Sequence, residues 1–242
     1  MNSENQSVSR RGWLARWSAA LVAARGGTAA GAPLRIAGVD VEFQIASISR
    51  HTFRLTVLPL KEGRPAAVPS DGSLVQESWG APVARWRGAP PRQAVKCGDG
   101  LIRVASDSLA FTVESGGRQI QRIGIDAPSG AVSFATGDAP LFGLGEGGPQ
   151  FDRRGSLDRM RSGQGGYQLR THGGRLPIPW IVSAAGWALF VHQPYGSFDF
   201  RGPESRFQPA SPAAALPLDI FFIVSPDPAA IMAEYARLTG HP

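Results

Sequence analysis

Cysteine is all but missing from this 242-residue chain. The single one, Cys97, excludes an internal disulfide and a cysteine-based metal cluster. It lies between Val95 and Asp99 in a turn-like stretch and reads as incidental. Lysine is nearly as scarce, with only Lys61 and Lys96, so the formal net charge of +6 is carried by arginine. The arginines are scattered along the chain instead of gathered into a stripe, which argues against a nucleic-acid surface. The four histidines, His51, His172, His192 and His241, show neither i, i+4 nor His-x-His spacing. No zinc site, and no other metal or cofactor, is expected from them. No apolar run is long enough to span a bilayer as a helix.

Glycine and proline, by contrast, are abundant, at 30 and 20 residues. Helix interiors tolerate neither well, and turns between strands use both. With 43% hydrophobic and 18% charged residues the chain has enough apolar material for a sizeable core. From Leu34 onward the hydrophobic period is two. Val39, Val41, Phe43 and Ile45 alternate with Asp40, Glu42 and Gln44, and Phe53, Leu55 and Val57 alternate with Arg54 and Thr56. This pattern marks strands with one buried face. It returns at Ile102–Val104, Leu109–Val113, Ile120–Ile125 and Val132–Phe134, with "PSDGS", "CGDG", "ESGG" and "APSG" as turns between. Strands resume at "LPIPWIVS", "GWALFVHQP", "SFDFRG" and "LPLDIFFIVS", and the unbroken run Ile220–Val224 predicts burial on both faces. Many short strands predict an all-β sandwich or barrel.

The two ends differ from the middle. Ser9-Arg10-Arg11-Gly12-Trp13-Leu14 resembles a twin-arginine export signal, followed by an apolar stretch Trp17–Ala24 and small residues Ala29–Ala32. A periplasmic or extracellular location is expected; a disordered basic tail on a cytoplasmic protein is the other reading of residues 1–32. At the far end, Ile231, Met232, Tyr235 and Leu238 fall on one face of a helix, with Ser225 as N-cap, Asp227 close behind and Gly240 as the stop. Such a helix needs something to pack on, either this sandwich or a further domain.

In "LFGLGEGGPQF", Gly143, Gly145 and Gly148 spell G-x-G-x-x-G. A dinucleotide loop would have to follow a strand and open a helix within a βαβ unit. Here no helical period follows, the neighbours read as strands, and both lysines lie upstream, so nucleotide binding is rejected. The glycines are expected to permit a sharp change of direction, with Glu146 bonding the backbone of the long irregular segment Gly145–Arg175. Loops of that length are usually functional or disordered. The acids Glu146, Asp152, Asp158 and Asp199 show no spacing that selects a catalytic pair, and they read as surface charge. Trp180, Trp187 and Phe198 fall on predicted strands; core packing is the default and a lectin-like aromatic platform the alternative.

Three motifs in order, "LFGLGEG", "RLPIPWIVSAAGWALFVHQP" and "LDIFFIVSPDPAAIMAEYARLTGHP", resemble the amino-terminal domain of glycoside hydrolase family 31, which includes α-glucosidases and α-xylosidases. They span Leu141 to Pro242, and the closing Leu238-Thr239-Gly240-His241-Pro242 is the most specific. The resemblance implies a galactose-mutarotase-like β-sandwich over 33–224 and a helical linker over 225–242, leading toward a (β/α)₈ barrel that is expected beyond this chain. In the family that barrel carries the catalytic carboxylates, so no catalytic residue is expected here. The resemblance also implies that the loop 147–175 shapes the substrate pocket. The family's W-N-x-D-like segment has as its nearest match Met160-Arg161-Ser162-Gly163-Gln164, which lacks both Trp and Asp. If the loop touches sugar, Arg161, Gln164, Tyr167, Gln168 and Arg170 are the candidates, since Arg and Gln hydrogen-bond hydroxyls and Tyr stacks on a sugar face. The expected partners are an α-linked carbohydrate and the parent barrel. The competing readings are a free-standing carbohydrate-binding module and, from fold analogy alone, a mutarotase-like enzyme.

Overall fold

A computed structural model describes residues 33–106, 109–147, 150–162, 176–193 and 195–241. The strands are β1 (Arg35–Ile36), β2 (Val39–Ser47), β3 (Thr52–Lys61), β4 (Arg64–Pro65), β5 (Ala84–Trp86), β6 (Val95–Cys97), β7 (Gly100–Val104), β8 (Ala110–Ser115) and β9 (Arg118–Ile125). They continue with β10 (Val132–Ala135), β11 (Leu141–Gly143), β12 (Leu157–Asp158), β13 (Trp180–Ser183), β14 (Trp187–Val191), β15 (Gly196–Asp199), β16 (Glu204–Pro209) and β17 (Leu218–Val224). One helix, α1 (Pro228–Thr239), follows. No helix among the described residues is long and apolar enough to cross a membrane.

The strands form two antiparallel sheets, as the period-two pattern predicts. A nine-stranded sheet runs β1-β2-β3-β17-β14-β13-β11, with β4 on β3 and β5 on β2. An eight-stranded sheet runs β12-β15-β16-β10-β9-β8-β7-β6. Between them lies a core of inward-facing residues that includes Phe43, Leu55, Phe111, Phe134, Leu189 and Phe222. Aromatic side chains carry much of the contact: Phe43 stacks on Trp86 at 5.3 Å and Trp187 stacks on Phe222 at 5.9 Å. Trp180, Trp187 and Phe198 are all buried, so they belong to the packing and form no exposed platform.

β17 is buried on both faces, as its continuous apolar run predicts. Leu218, Ile220 and Phe222 face the sandwich core, whereas Phe221 and Ile223 face a second cluster on the outer side of the same sheet. That cluster also takes Trp79, Trp180, Phe190, Ile231 and Leu238. The third outward residue of β17, Asp219, is polar and fully buried. It is held by Nε and Nη2 of the Arg54 guanidinium at 2.6 and 2.7 Å, and by His192 Nδ1 at 2.8 Å. Arg54 also lies over the Phe221 ring, 5.1 Å from its centroid.

The helix therefore packs on this sandwich. Tyr235 stacks on Trp180 at 4.3 Å, and Glu234 accepts hydrogen bonds from Ser49 Oγ and Thr52 Oγ1, both at 2.8 Å. Two expectations change here. The N-cap is Asp227, whose carboxylate accepts from the Ala229 amide at 2.9 Å, with Pro228 opening the helix. Ser225 sits two residues earlier and accepts from the Asp227 amide. Met232 is 51% exposed, and its expected place on the buried face is taken by Glu234, because the β2–β3 turn offers two hydroxyl donors there. Cys97 ends β6, paired with Gly100 across the hairpin, and burial pushes its thiol up to about 11.

A strand buried on both faces makes a two-sided prediction. Phe222→Ala and Phe221→Ala should each lower stability by about 3–5 kcal/mol, although they point to opposite sides of the sheet. Urea unfolding checks this; a loss for Phe222→Ala alone would mean that the outer cluster contributes little.

Candidate functional site

β11 is an edge strand of one sheet and β12 of the other, and the short run before β12 ties them, the Arg153 amide donating to the Leu141 carbonyl at 2.7 Å and the Gly155 amide to the Phe200 carbonyl at 2.9 Å. The chain leaves β11 through Leu144–Gly147, touches the second sheet at β12, and returns to the first at Leu176. Asp152 and Arg153 thus cover the outer edge of β11, the Leu141 amide donating to Asp152 and the Leu141 carbonyl accepting from the Arg153 amide. β12 lies inside the segment that the sequence reads as irregular, where a two-residue strand leaves no period to detect.

The glycines have a defined task at this root. Leu144 N donates to the Trp180 carbonyl at 2.7 Å, and Glu146 and Leu176 exchange backbone hydrogen bonds at 2.9 and 3.2 Å. The main chain of Glu146 thus meets the chain just past the segment 145–175. Gly143 and Gly145 hold φ of 108° and 80°. A β-carbon at Gly143 would collide with the Trp180 carbonyl, and one at Gly145 with the Leu176 carbonyl. Two backbones approach closely here, and only glycine fits.

The polarity of this turn is opposite to that of a phosphate loop, in which N–H groups converge on an anion. Here carbonyls converge on a cation. The buried Arg153 donates from Nε to the Gly143 carbonyl and from Nη2 to the Gly147 carbonyl, both at 3.0 Å. Its own amide donates to the Leu141 carbonyl at 2.7 Å. Arg153 is the residue that sequence reasoning missed; nothing in a loop rich in arginine distinguishes it.

Asp152 and Asp199 are unsuited to act as the acid of a hydrolytic pair. A retaining glycosidase needs two carboxyl groups about 5–5.5 Å apart, one with a raised pKa to act as the acid. Asp152 is driven the other way: bonds from the Arg154 guanidinium outweigh slight burial and, with the Leu141 and Arg154 amides, hold it at about 2. Arg201 does the same for Asp199, also at about 2. Asp158 is fully buried, which corrects its reading as surface charge; its carboxylate accepts from the Met160 amide at 2.9 Å and shapes the turn after β12. Among the described residues no group of three or more His, Cys, Asp or Glu side chains is placed to hold a metal ion.

Of the candidate sugar contacts, Arg161 is exposed just after that turn. Gln164, Tyr167, Gln168 and Arg170 lie outside the described residues. Phe151 and Leu176, at the root, are 80% and 59% exposed.

A second concave surface lies on the outer face of the eight-stranded sheet. Register places Asp199, Arg206, Ser133, Gly124 and Ala110 in one row across five strands. Small residues make the floor of a groove of about 830 Å³, and its charged walls are balanced: Arg122, Arg201 and Arg206 against Asp126, Asp199 and Glu204. Arg201 pairs with Asp199 at 2.6 Å and Arg206 with Asp126 at 3.5 Å, whereas Arg122 and Glu204 make no ion pair among the described residues.

The root gives a direct test. Gly145→Ala should lower stability by about 1–3 kcal/mol through backbone strain and further through the collision with Leu176. Gly63→Ala, at a similar φ of 74° but with nothing within 4 Å, should cost only the strain. Equal losses in thermal unfolding would contradict the close approach.

No family model matches the sequence, and no curated protein does. Solved structures do. A GH31 dextranase from Flavobacterium johnsoniae, complexed with glucose, matches 84% of this chain with a TM-score of 0.64 at 18% identity. The cycloalternan-forming enzyme from Listeria monocytogenes, in complex with a pentasaccharide substrate, matches 82% with a TM-score of 0.56 at 16% identity. A GH31 α-xylosidase from a soil metagenome, complexed with xylose, matches 83% with a TM-score of 0.51 at 15% identity. This chain spans 26%, 20% and 32% of those three chains. At such identities the likeness is one of fold: the chain has a β-sandwich fold that GH31 enzymes also contain.

Proposed function

We propose that this chain is a non-catalytic β-sandwich domain of a GH31 α-glycosidase, with 33–224 as the sandwich and 225–242 as the linker toward the barrel. In this reading the domain scaffolds the barrel, and the 147–175 loop forms part of the wall of the substrate pocket. Arg161, Gln164, Tyr167, Gln168 and Arg170 are the proposed contacts to an α-linked oligosaccharide. The observation that carries the reading is the fold likeness over 84% of this chain to a dextranase of which it spans only 26%. The ordered motifs from "LFGLGEG" to "LTGHP" support it. So does the state of Asp152 and Asp199, both held ionised by arginines and unsuited to act as a general acid. Export through the Ser9–Leu14 signal belongs to the same proposal.

A carbohydrate-binding module is the second reading, and the groove on the eight-stranded sheet favours it. Its charges cancel, which suits a neutral polyol better than a phosphate, and Arg122 and Glu204 are available to hydrogen-bond hydroxyls.

The chain should hydrolyse p-nitrophenyl α-glucoside and α-xyloside no faster than a buffer blank, and the coding DNA downstream of Pro242 should encode a (β/α)₈ barrel in frame. Turnover by this chain, or the lack of any such barrel, would sink the domain reading. Calorimetry with malto- and xylo-oligosaccharides separates the two readings. Heat of binding that disappears in Glu204→Ala favours the module; its absence favours the scaffold.

A further inference from the structure

Residues 66–83 form neither strand nor helix, yet they lie across the outer face of the nine-stranded sheet. Trp79 packs edge-on against Phe221 at 5.5 Å, and the Val75 amide donates to the Leu238 carbonyl at 2.9 Å. Beyond the Ala66 amide, which donates to the Pro59 carbonyl at 2.9 Å, a side-chain attachment stands between β4 and these contacts: His192 Nε2 lies 3.1 Å from Asp71 Oδ1. The other ring nitrogen, Nδ1, lies 2.8 Å from Asp219 Oδ2. The imidazole therefore bridges two carboxylates, one on the sheet and one on the crossing segment, and its side chain is only 6% exposed.

The hydrogen inventory of the ring decides what this bridge requires. Ionised carboxylates only accept, and a neutral imidazole has one N–H and one lone pair. Neutral His192 can satisfy Asp219 or Asp71 but not both; the second nitrogen then faces a carboxylate with lone pair against lone pair. The imidazolium has two N–H groups and satisfies both. The surrounding charges agree. Arg54, on β3, is committed to Asp219 in a bidentate pair, so Asp71 is balanced by the ring alone. Glu77, from the crossing segment, lines the same small cavity of about 20 Å³ and adds negative charge. Phe190 stacks on the ring at 6.0 Å and supplies no proton acceptor.

We propose that residues 66–83 are a proton-held strap: one proton on His192 latches the segment to the sheet, and its loss to solvent frees the segment. Elsewhere the strap is held by the packing of Leu74 and Trp79 and by the Val75 and Val83 amides. Trp79 Nε1, on the strap, is buried and has no hydrogen-bond partner among the described residues. Unsatisfied buried groups oppose docking, and segments of this kind open before the rest of a fold does.

The direction with pH follows. Burial of the ring works against its charge, but the hydrogen bonds and charges of Asp219 and Asp71 outweigh it, so the His192 pKa is raised. Docking is thus fully favoured below the ordinary histidine pKa and is lost as pH rises through the raised value. Burial also pushes Asp71 up, but bonds from Ser73 and His192 outweigh it and hold it at about 2, so mild acid leaves the latch closed.

Hydrogen–deuterium exchange of the full chain, resolved by peptide and corrected for intrinsic rate, tests this between about pH 5 and about pH 9. Peptides covering 68–80 should lose protection by up to about tenfold per pH unit between the ordinary histidine pKa and the raised His192 value and level off above it, while β17 stays protected. Asp71→Asn is the discriminating variant. Its amide N–H can donate to the neutral Nε2, so the strap should stay protected at alkaline pH. Protection of 68–80 that ignores pH in the unmodified chain would overturn the proposal. So would a strap in Asp71→Asn that opens at the same pH, or that is open throughout. None of these outcomes bears on the proposed role in a glycosidase, which rests on other residues.

Discussion

β17 has no solvent-facing side, and the rest of the molecule is arranged around meeting that constraint. Its inward residues fill the sandwich core, and its outward residues must be covered as well. The cover is α1 together with residues 66–83, neither of which belongs to a sheet. Asp219 sharpens the constraint. A carboxylate buried among aromatics is tolerated only if it is fully paired. Arg54 and His192 supply that pairing from the two neighbouring strands, one on each side. A one-residue slip of β17 would send Asp219 into the apolar core and Phe222 outward, so the buried ion pair fixes register as well as burial.

The same economy of edges explains the loop root. A sandwich with open edges is exposed to unwanted strand pairing. Here the chain runs from one edge to the other and back, stitched by Gly143, Gly145, Glu146 and Leu176 and stapled by Arg153. The result is a close-fitting junction between Gly143–Gly147 and Leu176–Trp180. The turn that matches a phosphate fingerprint in letters presents carbonyls to an arginine. Glycine spacing reports a close backbone approach and does not report the sign of the charge it will hold.

Legibility followed period. β2, β3 and β9 could be read because alternation over five or more residues is hard to produce by chance, and β17, with its two-faced burial, could be read from its unbroken apolar run. β16 was not read. Its sequence, ESRFQP, alternates Glu, Arg and Gln outward with Ser, Phe and Pro inward, and only Phe207 carries a strong apolar signal. The helix was placed correctly, but its cap and one face were misjudged: Asp227 competes with Ser225 for the cap, and a buried glutamate is invisible to an apolar template. In the loop, Asp158 looked like any surface acid, and Arg153 like any surface arginine, because burial of a single polar residue leaves no period.

The sequence by itself determined the all-β class, the strands with sustained alternation, the terminal helix and the rejection of a nucleotide loop, since each rests on local spacing over several residues. Only the tertiary structure decided which edges meet, which arginine is buried, and that His192 stands between Asp71 and Asp219. Those depend on residues 27 and 121 positions away from His192 along the chain. No local pattern carries such a pairing, because it arises when strand order, rather than spacing, brings side chains together.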